Sequence, residues 1–358
     1  MTETSTAGFP PEVAPVRPGE EQPWEAIQAY LAPQLDVDGP MAVLQFPNGS
    51  ANLTYLLSFG DRRFVLRRPP FGVIAPGAHD MRREYRVLSQ LWQAYDRAPR
   101  AFLFCEDHSV AGSDFVVSEY RSGTVVWGAV PPELDSPDAG RRLGLATVDA
   151  LADLHLVDPA ACGLERLGRA EGFLQRQVDG WRSRWALVAD EAHDEVMTRL
   201  GERLAAAIPV SATAAIVHMD YKMDNCQFTP GRPDRVTSVF DWDMATLADP
   251  LVDLGILLNY WPDPADHPDD RSLHVAGMER MGLPTRAEVV ERYSQRTGID
   301  VGDSAWYEAF ACWRAGITLQ QLYARYLRGE TTDERQGTYG KDIAMLAARA
   351  LRLLGGRP

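Results

Sequence analysis

The chain of 358 residues is short of cysteine, of positive charge and of long apolar runs, and each shortage excludes something. Its four cysteines, Cys105, Cys162, Cys226 and Cys312, lie far apart with no CxxC pair, which excludes a disulfide framework and zinc-finger spacing and points to a reducing compartment. No apolar stretch approaches the roughly 18 residues a membrane helix requires. The opening MTETSTAGFPPEVAPVRPGEEQP has neither a basic start nor an apolar segment of the signal-peptide kind, so the expected location is cytoplasmic with no membrane partner. Acids outnumber bases 50 to 36, a formal charge of −14, which argues against a nucleic-acid partner because neutralising phosphates takes a basic surface. Internal repeats are absent, and so is any G-x-G-x-x-G loop.

What remains is an ordinary globular mixture, 45% hydrophobic and 24% charged. Residues 1–23 hold five prolines and read as a flexible arm. A helix is expected over 24–35. In ANLTYLLSF, alternation places Leu53, Tyr55, Leu57 and Phe59 on one face, Gly60-Asp61 marks a two-residue turn, and RRFVLRR returns as the partner strand. Helical spacing of Met81, Tyr85, Leu88, Leu91 and Trp92 predicts a helix over 80–94, and DFVVSEY predicts a strand over 114–120. Beyond Gly123 the pattern is helical near 140–157, 172–206, 285–297, 304–328 and 337–354, interrupted at 216–242 by short β-runs around polar loops. The division expected is an arm at 1–23, a β-rich nucleotide-binding part at 24–121 and a helical part at 122–358 with the catalytic loop and acceptor site.

The chemistry concentrates in HMDYKMDN, 218–225, and FDWD, 240–243. Phosphoryl transfer from ATP needs a carboxylate to orient the attacking hydroxyl, oxygen ligands for Mg2+ and a cation for the phosphates. Mg2+ takes hard oxygen donors, one or two from protein and the rest from phosphate and water. HxDxxxxN suits this demand: one tight loop can aim Asp220 at the acceptor and Asn225 at the metal. Asp241, ending the apolar run from Val236, brings a second ligand from a rigid strand, the order of a kinase catalytic loop and its following metal-binding Asp. A capped turn is the structural alternative, since Asp and Asn favour turns.

The stretch from VHMDYKMDN through FDWDMATLADPLVDLGILLNYW resembles the aminoglycoside phosphotransferase and choline kinase family. It is more narrowly similar to the branch whose kinase-like domain also occurs fused ahead of an acyl-CoA dehydrogenase in some animal proteins. FVLRRPP, AHDMRREYRVL, LADLHLVDPAACGLERLGR and LQQLYARYLRG extend the resemblance over about residues 41–330. It implies an α+β, two-lobed, protein-kinase-like fold with a small β-rich N-lobe and a larger helical C-lobe. Asp220 falls at the family's catalytic Asp, Asn225 and Asp241 at its magnesium ligands, and His218 at a histidine that braces the loop. Asp243 either meets the metal through water or only fixes the loop. Lys222 either neutralises the transferring phosphoryl group or is a solvated lysine.

Two departures stand out. The phosphate loop is FPNGSANLTY, where Ser50 and Asn52 would cover the phosphates, or form an ordinary turn. Arg67 stands where a protein kinase has its strand lysine and the resembled family has Lys or Arg, with Glu84 as its partner; a surface salt bridge is the alternative. Val117 to Tyr120, including Glu119, would be the hinge that meets adenine through main-chain groups. Asp249-Pro250 reads as a helix cap, and Asp253, one turn on, as architectural. His79 and His155 read as buried hydrogen-bonding residues.

For the acceptor two surfaces conflict: the acidic PDPADHPDD, 262–270, suits amines, while Arg176 and WRSRW, 181–185, suit a carboxylate, phosphate or coenzyme A. The expectation is an ATP- and Mg-dependent kinase acting on a hydroxyl of a small molecule, a hydroxylated acid or acyl thioester, or an amino alcohol of aminoglycoside type. The alternative is a nucleotide-binding pseudokinase with a regulatory role; a protein kinase is disfavoured because DFG and APE are missing.

Overall fold

In the computed structural model, the described residues are 12–47, 52–72, 79–211, 213–267, 275–331 and 333–355. They form two compact units, Met1–Thr124 with Ala161–Leu164 and Thr237–Ala245, and Val125–Ala160 with Glu165–Val236 and Thr246–Pro358.

The first unit is built on an antiparallel five-stranded sheet in the order β1-β2-β3-β5-β4. Its elements are α1 (Trp24–Leu35), β1 (Met41–Gln45), β2 (Leu53–Phe59), β3 (Arg62–Arg68), α2 (Met81–Leu88), β4 (Ala101–Cys105), α3 (His108–Ala111) and β5 (Phe115–Glu119). The two-residue turn expected at Gly60-Asp61 joins β2 to β3 with Phe59 opposite Arg62, and Gly60 takes the positive φ of 56° that the tight turn asks of it. Alternation decides what each face carries. Leu53, Tyr55, Leu57, Phe64, Leu66, Phe115 and Val117 face one way and bury against Ile27, Leu31 and Leu35, which recur every four residues along α1. Arg67, next in β3, therefore points to the opposite face.

Three sequence expectations shift here. The helix expected over 80–94 ends at Leu88, followed by a 3-10 turn at Leu91–Gln93. β1 and β4 were not expected. The arm divides: residues 1–11 lie outside the described residues, while 12–23 are not loose. Ala14 bridges to Gln45, and buried Gln22 donates to the Tyr55 hydroxyl (3.0 Å) and accepts from Arg68.

Segment 237–245, expected with the helical part, packs with the first unit. Val239 N–H donates to the Arg97 carbonyl (2.9 Å), and fully buried Trp242 sits edge-on to Tyr95. This anchoring by Trp242 assigns Asp241 and Asp243 to the β-rich unit.

The second unit is mainly helical. After β6 (Thr124–Val125) come α4 (Ala139–His155), α5 (Phe173–Ala186), α6 (Asp194–Ala206), β7 (Ala215–Val217), β8 (Cys226–Thr229), β9 (Arg232–Val239) and β10 (Thr246–Ala248). α7 (Leu251–Asn259), α8 (Arg286–Thr297), α9 (Ala305–Leu327) and α10 (Tyr339–Leu353) complete it. The single helix expected over 172–206 is two, α5 and α6. β7 pairs antiparallel with β10, so the strand that leads into residues 218–225 lies beside the one that ends just before α7. Every residue of α7 is buried, as its nearly continuous apolar sequence demands. Gly255 permits this: a Cβ there would stand 2.6 Å from the Tyr307 main chain of α9. Among the described residues no helix is long and apolar enough to cross a membrane. All four cysteines are buried and unpaired with one another.

Candidate functional site

In the first unit, Arg67 projects from β3 toward α2, where Glu84 is 4% exposed and meets it at 2.7 Å. The second arm of the guanidinium contacts Asp241 Oδ1. A forked donor can hold two carboxylates at once, which a lysine point charge does less well. Burial acts to lower the Arg67 pKa, but the charges of Asp241 and Glu84 outweigh it and hold the cation above its ordinary range. Burial pushes the Glu84 carboxyl up, with Arg67 pulling it back, and Glu84 Oε2 has no hydrogen-bond partner. A surface salt bridge is thus excluded for this pair.

Asp241 has a φ of 72°, an uncommon value for a residue with a side chain, though Asp tolerates it better than most. Asp243 is 9% exposed and accepts from Asn52 Nδ2 (3.3 Å), whose Oδ1 lies 2.8 Å from His79 Nδ1. Burial, then the charge of Asp241, pushes the Asp243 carboxyl up to about 7. Ser50 lies outside the described residues. At the expected hinge, Glu119 N–H donates to the Arg100 carbonyl (2.8 Å), and its carboxylate accepts from Arg121 (3.1 Å) and Arg100 N–H (3.2 Å). Tyr120 donates its hydroxyl to Glu12 (3.0 Å).

In the second unit, β7 runs straight into His218-Met219-Asp220. Asp253, fully buried on α7, accepts main-chain N–H bonds from His218 (2.5 Å) on Oδ2 and Met219 (2.7 Å) on Oδ1, with His155 Nε2 3.3 Å from Oδ2. The other ring nitrogen of His155 lies 2.7 Å from the Tyr293 hydroxyl of α8. Met219 is held at φ 70°, a strained value for a long side chain and a kind of strain that clusters at functional sites. Burial acts to raise the Asp253 pKa, but the hydrogen bond and charge of His155 and the charge and N–H of His218 outweigh it and keep the carboxyl below its usual range.

On this braced loop the Asp220 N–H donates to His218 Nδ1 (3.3 Å). Asn225 Nδ2 donates to the Asp220 carbonyl (2.8 Å) and to its Oδ2 (3.3 Å), which leaves Asn225 Oδ1 as that side chain's acceptor. Lys222 Nζ lies 3.2 Å from Asp220 Oδ2 and 5.3 Å from the Tyr260 ring centroid. Burial acts to lower the Lys222 pKa; the charge of Asp220 more than reverses it. Lys222 is therefore a partly buried lysine held in an ion pair with Asp220.

The two acceptor surfaces look different in three dimensions. In the acidic stretch, Asp266 pairs with Arg286, and Asp263 accepts the Arg286 N–H (2.5 Å), so both acids hold the start of α8; residues 268–270 lie outside the described residues. Arg176 donates to the carbonyls of Glu171 (2.5 Å) and Arg169, while Arg184 and Arg314 lie 4.6 and 5.6 Å from the Trp181 ring centroid. Sequence reasoning did not single out Tyr260, although it lies in the stretch that carries the resemblance, or Tyr293, which lies outside it.

The chain matches the phosphotransferase enzyme family over residues 42–310. It is 31% identical over 353 residues to acyl-CoA dehydrogenase family member 10 of Mus musculus, covering 95% of this chain and 33% of that protein. It is 30% identical over 339 residues to acyl-CoA dehydrogenase family member 11 of Rattus norvegicus, covering 92% and 43%. The chain thus spans between a third and a half of the length of these relatives. Among solved structures, a Ralstonia eutropha protein provisionally described as an aminoglycoside phosphotransferase superposes with a TM-score of 0.77 at 29% identity, covering 94% of this chain and 99% of that one. A thermostable mutant of the aminoglycoside phosphotransferase APH(4)-Ia, solved with AMP-PNP and hygromycin B, gives 0.59 at 18% identity, covering 92% and 98%. The chain belongs to the phosphotransferase enzyme family and has the α+β, kinase-like fold of the aminoglycoside phosphotransferases.

Proposed function

We propose that the chain is an ATP- and Mg-dependent phosphotransferase that moves the terminal phosphoryl group to a hydroxyl of a small molecule. The observation that carries it is the loop at 218–225, where Asp253 fixes the main chain and Lys222 sits beside the Asp220 carboxylate. Asp220 takes the hydrogen bond of the acceptor hydroxyl and then its proton. The acceptor oxygen bonds to the terminal phosphorus as the bond to the β-phosphate oxygen breaks and the electron pair leaves with ADP. Lys222 offsets the charge that gathers on the transferring oxygens. Arg67, fixed by Glu84, steadies the nucleotide phosphates, with Asn52 at the edge of the phosphate loop and Tyr120 at the adenine hinge.

By type the proposed donors suit a hard cation: Asn225 of the second unit keeps its amide oxygen as acceptor, and Asp241 and Asp243 of the first carry carboxylate oxygens. When bound, Mg2+ supplies charge neutralisation to the phosphates. AMP-PNP in APH(4)-Ia and ADP in the spectinomycin phosphotransferase APH(9)-Ia support a nucleotide donor. Engagement of Asp263 and Asp266 by Arg286 favours a hydroxylated acid or acyl thioester over an amine-bearing acceptor. Four buried cysteines without a disulfide support a cytoplasmic setting.

A second reading, a nucleotide-binding regulatory protein without transfer, is favoured by one contact: Arg67 occupies Oδ1 of Asp241, a group the first reading assigns to the metal. A screen of hydroxylated metabolites and aminoglycosides with γ-labelled ATP, read by product mass, separates them. Transfer that falls about 10²–10⁴-fold in Asp220→Ala supports the enzyme; ATP consumption undiminished in that variant removes Asp220 from the mechanism.

A further inference from the structure

Beside the catalytic loop the second unit holds a cavity of about 100 Å³ that the steps above leave unused. Lys222, Met223 and Asp224 of the loop line it together with Leu257, Tyr260, Trp261, Val275 and Met278, so two charged side chains share the wall with apolar and aromatic ones. Lys222 links the cavity to the reacting centre, because the same ammonium lies 3.2 Å from Asp220 and over the Tyr260 ring. The polar edge of Trp261 is turned away, its indole N–H donating to the Pro284 carbonyl (2.7 Å), so the ring offers an apolar face.

The geometry points to an acceptor whose reacting carbon carries a short apolar arm, and assigns this cavity to that arm. The inference rests on the phosphotransferase reading and deepens it. The reaction is the one above: the acceptor oxygen gains the terminal phosphoryl group of ATP, its proton passes to Asp220 and ADP leaves. Size limits the arm. A cavity of about 150 Å³ admits benzene, so about 100 Å³ takes roughly four carbons. Composition sets the selectivity. Each methylene moved from water into such a cavity favours binding by about fourfold. Each buried hydroxyl left without a partner weakens binding by roughly 5- to 150-fold, which disfavours an amino sugar, rich in hydroxyls and amines, in a space with two charged groups.

Two measurements on the full chain test this. In the first, secondary hydroxy acids whose arm grows from one to six carbons are compared by ADP release, with an aminoglycoside alongside. The expected kcat/KM rises about fourfold per carbon up to about four carbons and then stops rising. Met278→Ala shifts the break to longer arms, and Leu257→Trp flattens the series. In the second, the ε-methyl groups of 13C-labelled methionine are followed by NMR during titration with 1-butanol. The Met278 and Met223 resonances, assigned by Met278→Leu and Met223→Leu, shift saturably, and Met278→Trp abolishes the remaining Met223 shift if Leu257→Trp fails to fold. Turnover that is flat across the series, with no methyl response, overturns the arm assignment and leaves the phosphotransferase intact. A saturable methyl response with no transfer to any acceptor keeps the cavity's apolar preference and overturns the phosphotransferase reading.

Discussion

Replacing Asp253 by Asn should uncouple the loop at 218–225, to which we assign the catalytic role, from its support while changing almost no volume. Each carboxylate oxygen accepts one main-chain N–H, from His218 at 2.5 Å and from Met219 at 2.7 Å. An amide keeps one acceptor and turns an NH2 group toward the other N–H, so one charge-assisted bond is lost and one buried donor is left unpaired. The first loss costs about 1.5–3 kcal/mol and the second about 1–3 kcal/mol, so a destabilisation of about 2.5–6 kcal/mol is expected. A total stability of about 5–15 kcal/mol leaves most of the variant folded. Function should suffer beyond this, because Met219 is held at a φ of 70° against a strain of about 1–3 kcal/mol. Once a pin is gone the loop relaxes, and a shift of about 1 Å at Asp220 costs about 10²-fold in turnover. Urea denaturation gives the first number and kcat at saturating ATP the second. The dependence on pH has a definite sign. The folded Asp253 pKa lies below the unfolded value of about 3.9, so its contribution is complete above about pH 4 and fades as pH falls through the folded pKa, narrowing the gap between the two proteins. A variant within about 1 kcal/mol of the parent, with unchanged kcat, would refute the argument.

Arg67→Lys keeps the charge but cannot span Glu84 and Asp241 together, so KM for ATP should rise about tenfold with a smaller change in kcat, measured by steady-state kinetics. Gly255→Ala should destabilise the second unit by about 1–3 kcal/mol, since its Cβ meets the Tyr307 main chain, and an unchanged urea midpoint would contradict the packing of α7 on α9. Glu288 closes a capping box with Thr285, and its carboxyl is pulled down to about 2 by the Thr285 N–H and then by Arg141. Its stabilisation is complete above the unfolded value of about 4.3 and is lost toward pH 2, so the Tm deficit of Glu288→Ala should be present at pH 7 and vanish near pH 2.

The strands and helices most legible in the sequence are those whose pattern repeats: β2 and β3 around Gly60-Asp61, α1 with Ile27, Leu31 and Leu35, and α8 to α10. β1 and β4 escaped notice because MAVLQ and AFLFC are five residues each, too short for alternation to speak. The break between α5 and α6 escaped because the intervening residues carry no proline or glycine. Motif spacing brought attention to Asp220, Asn225 and Asp241, since a loop chemistry fixes their separation. Glu84 is the partner the sequence offers Arg67, but nothing local could announce that Asp241 would take the second arm of the guanidinium, because the residues lie on different elements and meet only through the fold. Tyr260 and Tyr293 are silent for the same reason.

Because all four native thiols are sealed inside the protein, a cysteine introduced on the surface becomes the fast-reacting one. Fluorophores or spin labels can then be attached at chosen points of either unit in the otherwise unaltered chain, and distances between them followed as nucleotide and acceptor are added.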